Sequence, residues 1–323
     1  MYAMSIINTG NRFPSIDDLH VFITITHTEN FSKAAQELGV SPAYISKRIK
    51  ILEKDLNTKL FHRDTRNLTL TEEGKSIVRE AVQLLDDMNA LVEKTKKTKE
   101  EISGKINICT SFGFGINYVS KAISQLSALY PQLNTRLHLT DEAVDLVVNG
   151  FDLEIKVGDD IKGQNRAQKL ANNYRVLCAS PEYINKYGMP EKLEDLANHN
   201  CIFIQEKNSS LGLWKLEKQG NEYSIRIKSH LSTNCGSVAM QWCLDSQGII
   251  LRSWWDVAPY IKDGSLIHVL PDYRESANIW AVYPGRLSES EKLNKCIAFF
   301  SDYFERVPYE KIPCFSLYDT EHL

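Results

Sequence analysis

One short stretch, from Phe31 to Leu56, constrains this 323-residue chain more than any other. Its run FSKAAQELGVSPAYISKRIKILEKDL holds two amphipathic segments separated by Gly39-Val40-Ser41. Asn30-Phe31-Ser32 starts the first, a helix over Ser32 to Leu38 that buries Ala34, Ala35 and Leu38. Gly39 follows directly, as expected where a chain leaves a helix with positive φ. Val40 plugs the turn. Ser41 then reads as an N-cap and Pro42 as the first helical residue of the next segment. There Ile45, Ile49, Leu52 and Leu56 recur at i, i+4, i+7 and i+11, which makes one buried stripe. The opposite face carries Ala43, Tyr44, Ser46, Lys47, Arg48 and Lys50. Two small helices joined by such a turn make a helix-turn-helix. The second helix of that motif enters the DNA major groove with its N-terminal residues near base edges.

Charge must support that reading locally, because the whole chain carries a formal net charge of −3. From Ser41 to Arg66 the cations are Lys47, Arg48, Lys50, Lys54, Lys59, Arg63 and Arg66, against Glu53, Asp55 and Asp64. A solvated helix face is the bland alternative. The turn, the cap, the small residues before Lys47 and the basic bias agree instead on phosphate contact, which supplies most DNA affinity. Upstream, Asp17 opens a helix with Leu19, Val21, Phe22 and Ile23 crowded to one side. Downstream, Asn57 to Leu70 has two short alternations around Asp64-Thr65-Arg66, a two-stranded wing.

Thr71-Glu72-Glu73 begins another helix, with a capping threonine and acidic residues where the helix dipole favours them. Ile77, Ala81, Leu84, Met88 and Leu91 keep a 4-3-4-3 spacing, a seam suited to pairing two copies. Packing on its own domain is the alternative. A homodimer would present two recognition helices to a two-half-site operator. Glu93 to Glu101 has no apolar residue and reads as a charged helix end and hinge.

The remaining two-thirds alternate strand and helix. Lys105 to Cys109, Leu133 to Leu139 and Leu153 to Val157 read as strands. Tyr118 to Tyr130 and Ala143 to Asn149 read as helices, ended by Pro131 and Gly150. Such alternation predicts an open, largely parallel α/β sheet, with ligands outside the carboxyl ends of its strands. The segment Thr110 to Asn117 leaves the first strand as a loop with hydroxyls and glycines, and a carboxylate there would meet converging N–H groups. A plain strand-to-helix turn is the competing reading. It is no dinucleotide fingerprint, since Tyr118 holds the third glycine position, and no nucleophile elbow. Arg252 follows the apolar run Ile249-Ile250-Leu251, where a guanidinium can hold a carboxylate in bidentate fashion or pair with Asp256 or Asp245. Asn234 starts the opposing helix and is placed to bind a hydroxyl or a second carboxylate.

Other classes are less well supported. The seven cysteines are dispersed without a C-x-x-C pair, as expected of reduced core thiols. No apolar stretch approaches the roughly 18–20 residues that span a bilayer. The N-terminus lacks an apolar signal region, so the expectation is a cytoplasmic, nucleoid-associated protein without membrane contact. A solute-binding protein or an α/β enzyme is the alternative. No paired carboxylates or triad spacing support the enzyme, and no cofactor or metal site is expected.

The chain resembles the LysR-type transcriptional regulators. The resemblance is carried by Phe31-Ser32-x-Ala34-Ala35-x-x-Leu38-x-Val40-Ser41-Pro42, then by Ile45-Ser46-x-x-Ile49-x-x-Leu52-Glu53. It continues as Leu60-Phe61-x-Arg63-x-x-Arg66-x-Leu68-x-Leu70-Thr71-x-x-Gly74. Thr110-Ser111-Phe112-Gly113-Phe114-Gly115, Gly158-Asp159-Asp160 and Leu251-Arg252-Ser253-Trp254-Trp255-Asp256 are similar to a subgroup that controls D-malate and tartrate catabolism. The resemblance implies an α plus α/β protein: a winged helix-turn-helix over 16–73, a linker helix and hinge over 74–101, and an effector domain over 102–312. That last part would be built like a periplasmic binding protein, with lobe I over about 102–172 and 277–312 and lobe II over about 173–276. Residues 1–15 and 313–323 would flank these.

It further implies a dimer or dimer of dimers, double-stranded operator DNA, a small carboxylate effector and, for an activator, RNA polymerase as partners. Ser41, Pro42, Ala43, Tyr44 and Lys47 would face bases, with Ser32, Ser46, Lys50, Arg63 and Arg66 completing the DNA contact. The effector residues would be Thr110, Ser111, Phe112, Gly113, Phe114, Thr140, Phe203, Asn234 and Arg252. Lys47 stands where arginine is frequent in the family, Tyr44 where a small residue is common, and Ser237 where the subgroup has an acidic residue.

Overall fold

The first helices of the chain begin where a side-chain oxygen is available to cap them. In a computed structural model that describes residues 13–63, 68–95, 102–161, 163, 165–205 and 212–306, Ser15 accepts from the Asp18 N–H at 3.1 Å. Helix α1 (Ile16–Thr28) therefore starts one residue before Asp17. The Asn30 side-chain Oδ1 accepts from the Ser32 and Lys33 N–H groups at 2.8 and 3.0 Å and opens α2 (Phe31–Glu37). Ser41 accepts from Tyr44 at 3.2 Å and opens α3 (Pro42–Asp55). Each cap contributes about 1 kcal/mol. Gly39 has φ +66° with nothing within 4 Å of where a Cβ would sit, so the turn needs its conformation and not its size. Val40 does not plug the turn as expected. It is 36% exposed, and its N–H closes the turn on the Ala35 carbonyl at 2.9 Å.

The wing pairs β1 (Phe61–Arg63) with β2 (Leu68–Leu70) antiparallel, Phe61 opposite Leu70. Helix α4 (Glu72–Thr95) follows, its Thr71 cap accepting from Gly74 at 2.9 Å. The Leu60 carbonyl lies 2.3 Å from where a Gly74 Cβ would sit, so the strand-to-helix corner excludes any side chain there. Phe22, Ile25, Ala34, Ile45, Ile49, Leu52, Leu60 and Val78 form a fully buried core. The wing tip with Arg66, the hinge 96–101 and the two termini lie outside the described residues.

Two units emerge, Met1–Glu100 with Asp145–Gly150, and Glu101–Val144 with Phe151–Leu323. The expected helix over Ala143 to Asn149 does not form. The Asp145 carboxylate instead accepts from Val147 and Val148 at 3.0 and 3.1 Å, and Asn149 accepts from the Asp145 N–H at 3.0 Å. Short polar side chains thereby take the backbone donors a helix would need. Val147 and Val148 pack on the core of the first unit.

The second unit runs through β3 (Gly104–Thr110), α5 (Phe112–Phe114), a π-helical turn over Gly115–Val119, α6 (Ser120–Leu129), β4 (Leu133–Leu139), β5 (Leu153–Val157) and β6 (Asn165–Ala171). It continues with β7 (Tyr174–Ala179), α7 (Pro181–Tyr187), β8 (Ile202–Ile204), β9 (Leu213–Lys218), β10 (Asn221–Arg226), β11 (Leu231–Thr233), α8 (Gly236–Leu244), β12 (Ile250–Ser253) and α9 (Trp254–Lys262). β13 (Ile267–Ser276) then leads back through β14 (Ile279–Pro284) to α10 (Glu291–Arg306). One sheet has the order β4-β3-β5-β14-β6 and the other β10-β9-β13-β7-β12. They define two lobes, I and II.

The parallel pairing predicted from strand-helix alternation holds for β3 with β4 and β5. In lobe II it is confined, among named strands, to β8 with β11, because β12 and β13 both pair antiparallel with β7. Trp255, from α9 of lobe II, joins the core of lobe I. Its ring centroid lies 5.1 Å from Phe114 and 5.3 Å from Tyr118, and the Tyr118 hydroxyl donates to its carbonyl at 2.9 Å.

Candidate functional site

On the first unit, α3 presents Pro42, Ala43, Tyr44, Lys47 and Lys50 to solvent, with Ser41 and Ser32 also exposed and Ser46 half-buried. Arg48 does not belong to that charge. It pairs with the buried Asp18 at 2.5 Å and donates to Ser15 at 2.8 Å, tying α3 to the start of α1. Lys59 pairs with Glu53, whose carboxylate is buried and also accepts from the Leu60 N–H at 3.1 Å. The cations of α3 without an ion partner among the described residues are therefore Lys47, Lys50 and Lys54. Arg63 ends β1, and Arg66 falls outside the described residues.

The seam on α4 divides. Ala81 is 1% exposed and Ile77 half-buried, both packed on the unit's own core beside Val78 and Val82. Leu84, Met88 and Leu91 are 56%, 40% and 58% exposed. The first two turns of the predicted seam thus face inward, because α4 lies against α1 there.

In the second unit a cleft of about 470 Å³ opens between the lobes. Of the nine sequence candidates, Ser111, Thr140, Phe203, Asn234 and Arg252 line it. The others do not. Thr110 is buried and donates to the Ile155 carbonyl at 2.7 Å. Phe114 is fully buried in the lobe I core, and Phe112 is 43% exposed off the cleft wall. Gly113 is buried where a Cβ would stand 3.3 Å from Arg252 Nη2 and 3.4 Å from Trp255. The physical reason is that no loop exists: Ser111 is already the N-cap, and α5 begins at Phe112. The expected anion site at that helix start is occupied, since the Asp141 carboxylate accepts from the Phe112 N–H at 3.1 Å.

Of the partners left open by the sequence for Arg252, the structure shows Asp256. The Arg252 Nε pairs with it at 2.5 Å, while the two Nη atoms lie over the start of α8. A Cβ on Gly236 would come within 2.4 Å of both of them. Helix α8 has Cys235 at its N-cap without a side-chain hydrogen bond. Two guanidinium N–H groups, the Asn234 amide and the Ser111 and Thr140 hydroxyls thus form a donor-rich wall suited to a carboxylate with a neighbouring hydroxyl. Sequence reasoning missed the other end of the cleft, where Lys156 pairs with Asp160 at 3.1 Å and Arg175 with Glu275 at 2.9 Å. Arg175 and Glu275 meet only through the β7–β13 register, which is not written in either segment.

Five cysteines are buried and Cys235 is half-buried, while Cys314 lies outside the described residues. Burial pushes the Cys201 and Cys296 thiols up to about 12. Among the described residues no group of three His, Cys, Asp or Glu could hold a metal ion, and no helix is long and apolar enough to cross a membrane.

Comparison with known proteins places both units. The family model described as bacterial regulatory helix-turn-helix protein, lysR family, matches residues 16–75. That described as LysR substrate binding domain matches residues 99–305. The chain is 44% identical over 307 residues to the HTH-type transcriptional regulator DmlR of Escherichia coli (strain K12), covering 95% of this chain and 99% of that one. It is 40% identical over 296 residues to the HTH-type transcriptional activator TtdR of the same strain, covering 92% and 96%. The full-length structure of the Vibrio cholerae virulence activator AphB superposes with a TM-score of 0.59 at 25% identity, covering 90% of this chain and 99% of that one.

Proposed function

The chain belongs to the LysR family of transcriptional regulators, and from that premise we propose that a small hydroxy-dicarboxylate, D-malate, tartrate or a close relative, binds the inter-lobe cleft and modulates operator binding. The observation that carries the reading is the convergence of Arg252 and Asn234 from lobe II with Ser111 and Thr140 from lobe I on one cleft. Arg252 takes one carboxylate through its Nη edge, held in plane by Asp256. Asn234 and the two hydroxyls serve the hydroxyl and the second carboxylate. The regulator is not an enzyme, in keeping with the names of its relatives.

Operator recognition belongs to the α3 face, with Ser41 to Tyr44 and Lys47 toward bases and Lys50, Arg63 and Arg66 toward phosphates. Leu84, Met88 and Leu91 pair two copies, or two pairs of copies, in the cytoplasm at the nucleoid. An activating form would contact RNA polymerase. An effector that binds one lobe arrangement better than another shifts the population toward it, and that difference is what reaches the DNA.

A thermal-unfolding panel with D- and L-malate, the tartrate isomers, aromatic acids and amino acids tests the effector class. A ligand at about 100 times its Kd stabilises by about 2.7 kcal/mol, well within reach of the measurement. Stabilisation by the C4 hydroxy-diacids alone supports the reading. Stabilisation by an aromatic or amino acid with none by the diacids overturns it.

A further inference from the structure

The chain crosses between lobes twice, from Ala171 to Tyr174 and from Ser276 to Ile279. The crossovers are strapped to each other. The Ala277 N–H donates to the Asn173 carbonyl at 3.0 Å, and the Asn173 amide donates back to the Ala277 carbonyl at 2.8 Å. Both residues are buried, Asn173 to 1% exposure and Ala277 completely.

A third segment grips the second crossover. Directly after β5, Gly158 takes φ +123° and its N–H donates to the Asn278 carbonyl at 2.9 Å. The next residue, Asp159, turns its carboxylate onto the same strand. It accepts from the Ser276 hydroxyl at 2.6 Å, from the Trp280 indole N–H at 2.7 Å and from the Asn278 amide at 3.0 and 3.2 Å. Those three donors lie before, within and after the crossover. Burial pushes this carboxyl up, but the hydrogen bonds from Ser276, Trp280 and Asn278 outweigh it and hold the group below its ordinary value. It is therefore fully ionised at neutral pH, with both oxygens available as acceptors.

We propose that Asp159 is a positioning residue for the cleft, whose carboxylate clasps the second crossover to the end of β5 and so holds the angle between the lobes. Rotation of one lobe on the other must bend residues 276–278, and the carboxylate binds two of them, Ser276 and Asn278, together with Trp280 just beyond. Asp159 and Ser276 also line the cleft that Arg252 lines, so the clasp sits where cleft contents and lobe angle meet. This use of the clasp rests on the reading of the cleft as the effector site. Its hold on the hinge does not.

Hydrogen exchange of the ligand-free, full-length protein, wild type against Asp159→Asn, tests the clasp. An amide at 159 offers one acceptor to three donors and turns an N–H₂ toward them. The expected result is exchange at least tenfold faster at the Gly158 and Ala277 amides, with β3 and β7 unchanged. Ser276→Ala gives a smaller acceleration at the same amides, and the double variant gives less than the product of the two, as residues sharing one bond must. Unchanged exchange at Gly158 and Ala277, or acceleration spread evenly over both lobes, overturns the proposal. Should Asp159→Asn not fold, Ser276→Ala decides by the same two outcomes. No ligand enters this measurement, so failure of the diacid panel and failure of the clasp are separate results.

Discussion

Gly236 shows how a single residue decides what an arginine can do. The Arg252 guanidinium lies where a side chain at 236 would be, so Gly236→Ala must push it off Asp256 or shift the start of α8. Overpacking of this kind costs about 1–3 kcal/mol. The expected outcome is a melting midpoint lowered by a few degrees and diacid affinity at least tenfold weaker, read by thermal unfolding and titration. A second residue sets a pH limit. Burial holds the His268 imidazole down at about 4, so the folded protein keeps it neutral while the unfolded chain protonates near 6.5. Its contribution is complete above about pH 6.5 and is lost as pH falls toward 4, on the order of 3 kcal/mol in all. Denaturant titrations across that window should show a shallower decline for His268→Phe than for wild type.

At the scale of elements, α4 divides along its length. Its early turns give Val78, Ala81 and Val82 to the DNA-binding core, and its later turns leave Leu84, Met88 and Leu91 exposed. A strict seven-residue repeat drifts around a straight helix, so one seam cannot face the same partner from end to end. Leu84→Ser with Leu91→Ser should convert the sedimenting species to monomer at micromolar concentration with the melting midpoint of the DNA-binding unit unchanged. Val78→Ala should do the reverse, lowering the midpoint while leaving the oligomer intact. If the leucine pair leaves sedimentation untouched, the exposed seam is not the pairing surface.

For the whole molecule, charge is the governing property. A chain with net charge −3 gains nothing from its overall field when it meets DNA, so affinity depends on the few cations that α3 leaves unpaired. Lys47→Ala should weaken operator binding and reduce the slope of log K against log salt by about 0.9, one phosphate contact. Arg48→Ala gives the contrasting result. It strips the buried Asp18 of its partner, so stability falls while the salt slope of the folded fraction stays as in wild type. Equal salt slopes for Lys47→Ala and wild type would remove Lys47 from the interface.

The elements that sequence alone determined are those written within a turn or two of chain. The cap at Ser41, the helix start at Asn30-Phe31-Ser32, the left-handed Gly39, the stripe Ile45–Ile49–Leu52 and the helix end at Tyr130 all depend on neighbours within a few positions. Failures began where two local codes competed, as at Asp145, whose carboxylate satisfies backbone donors that helix propensity had assigned elsewhere. The family-level resemblance named nine effector residues, of which Ser111, Thr140, Phe203, Asn234 and Arg252 line the cleft, but not which polar groups remain available there. Tertiary structure alone decided that Arg48 is spent on Asp18, that Asp141 caps the helix after Ser111, and that Asp159 grips donors 117 to 121 positions away. A helix declares itself through bonds to its own near neighbours. Whether a charge remains for DNA or effector depends on what the fold brings against it.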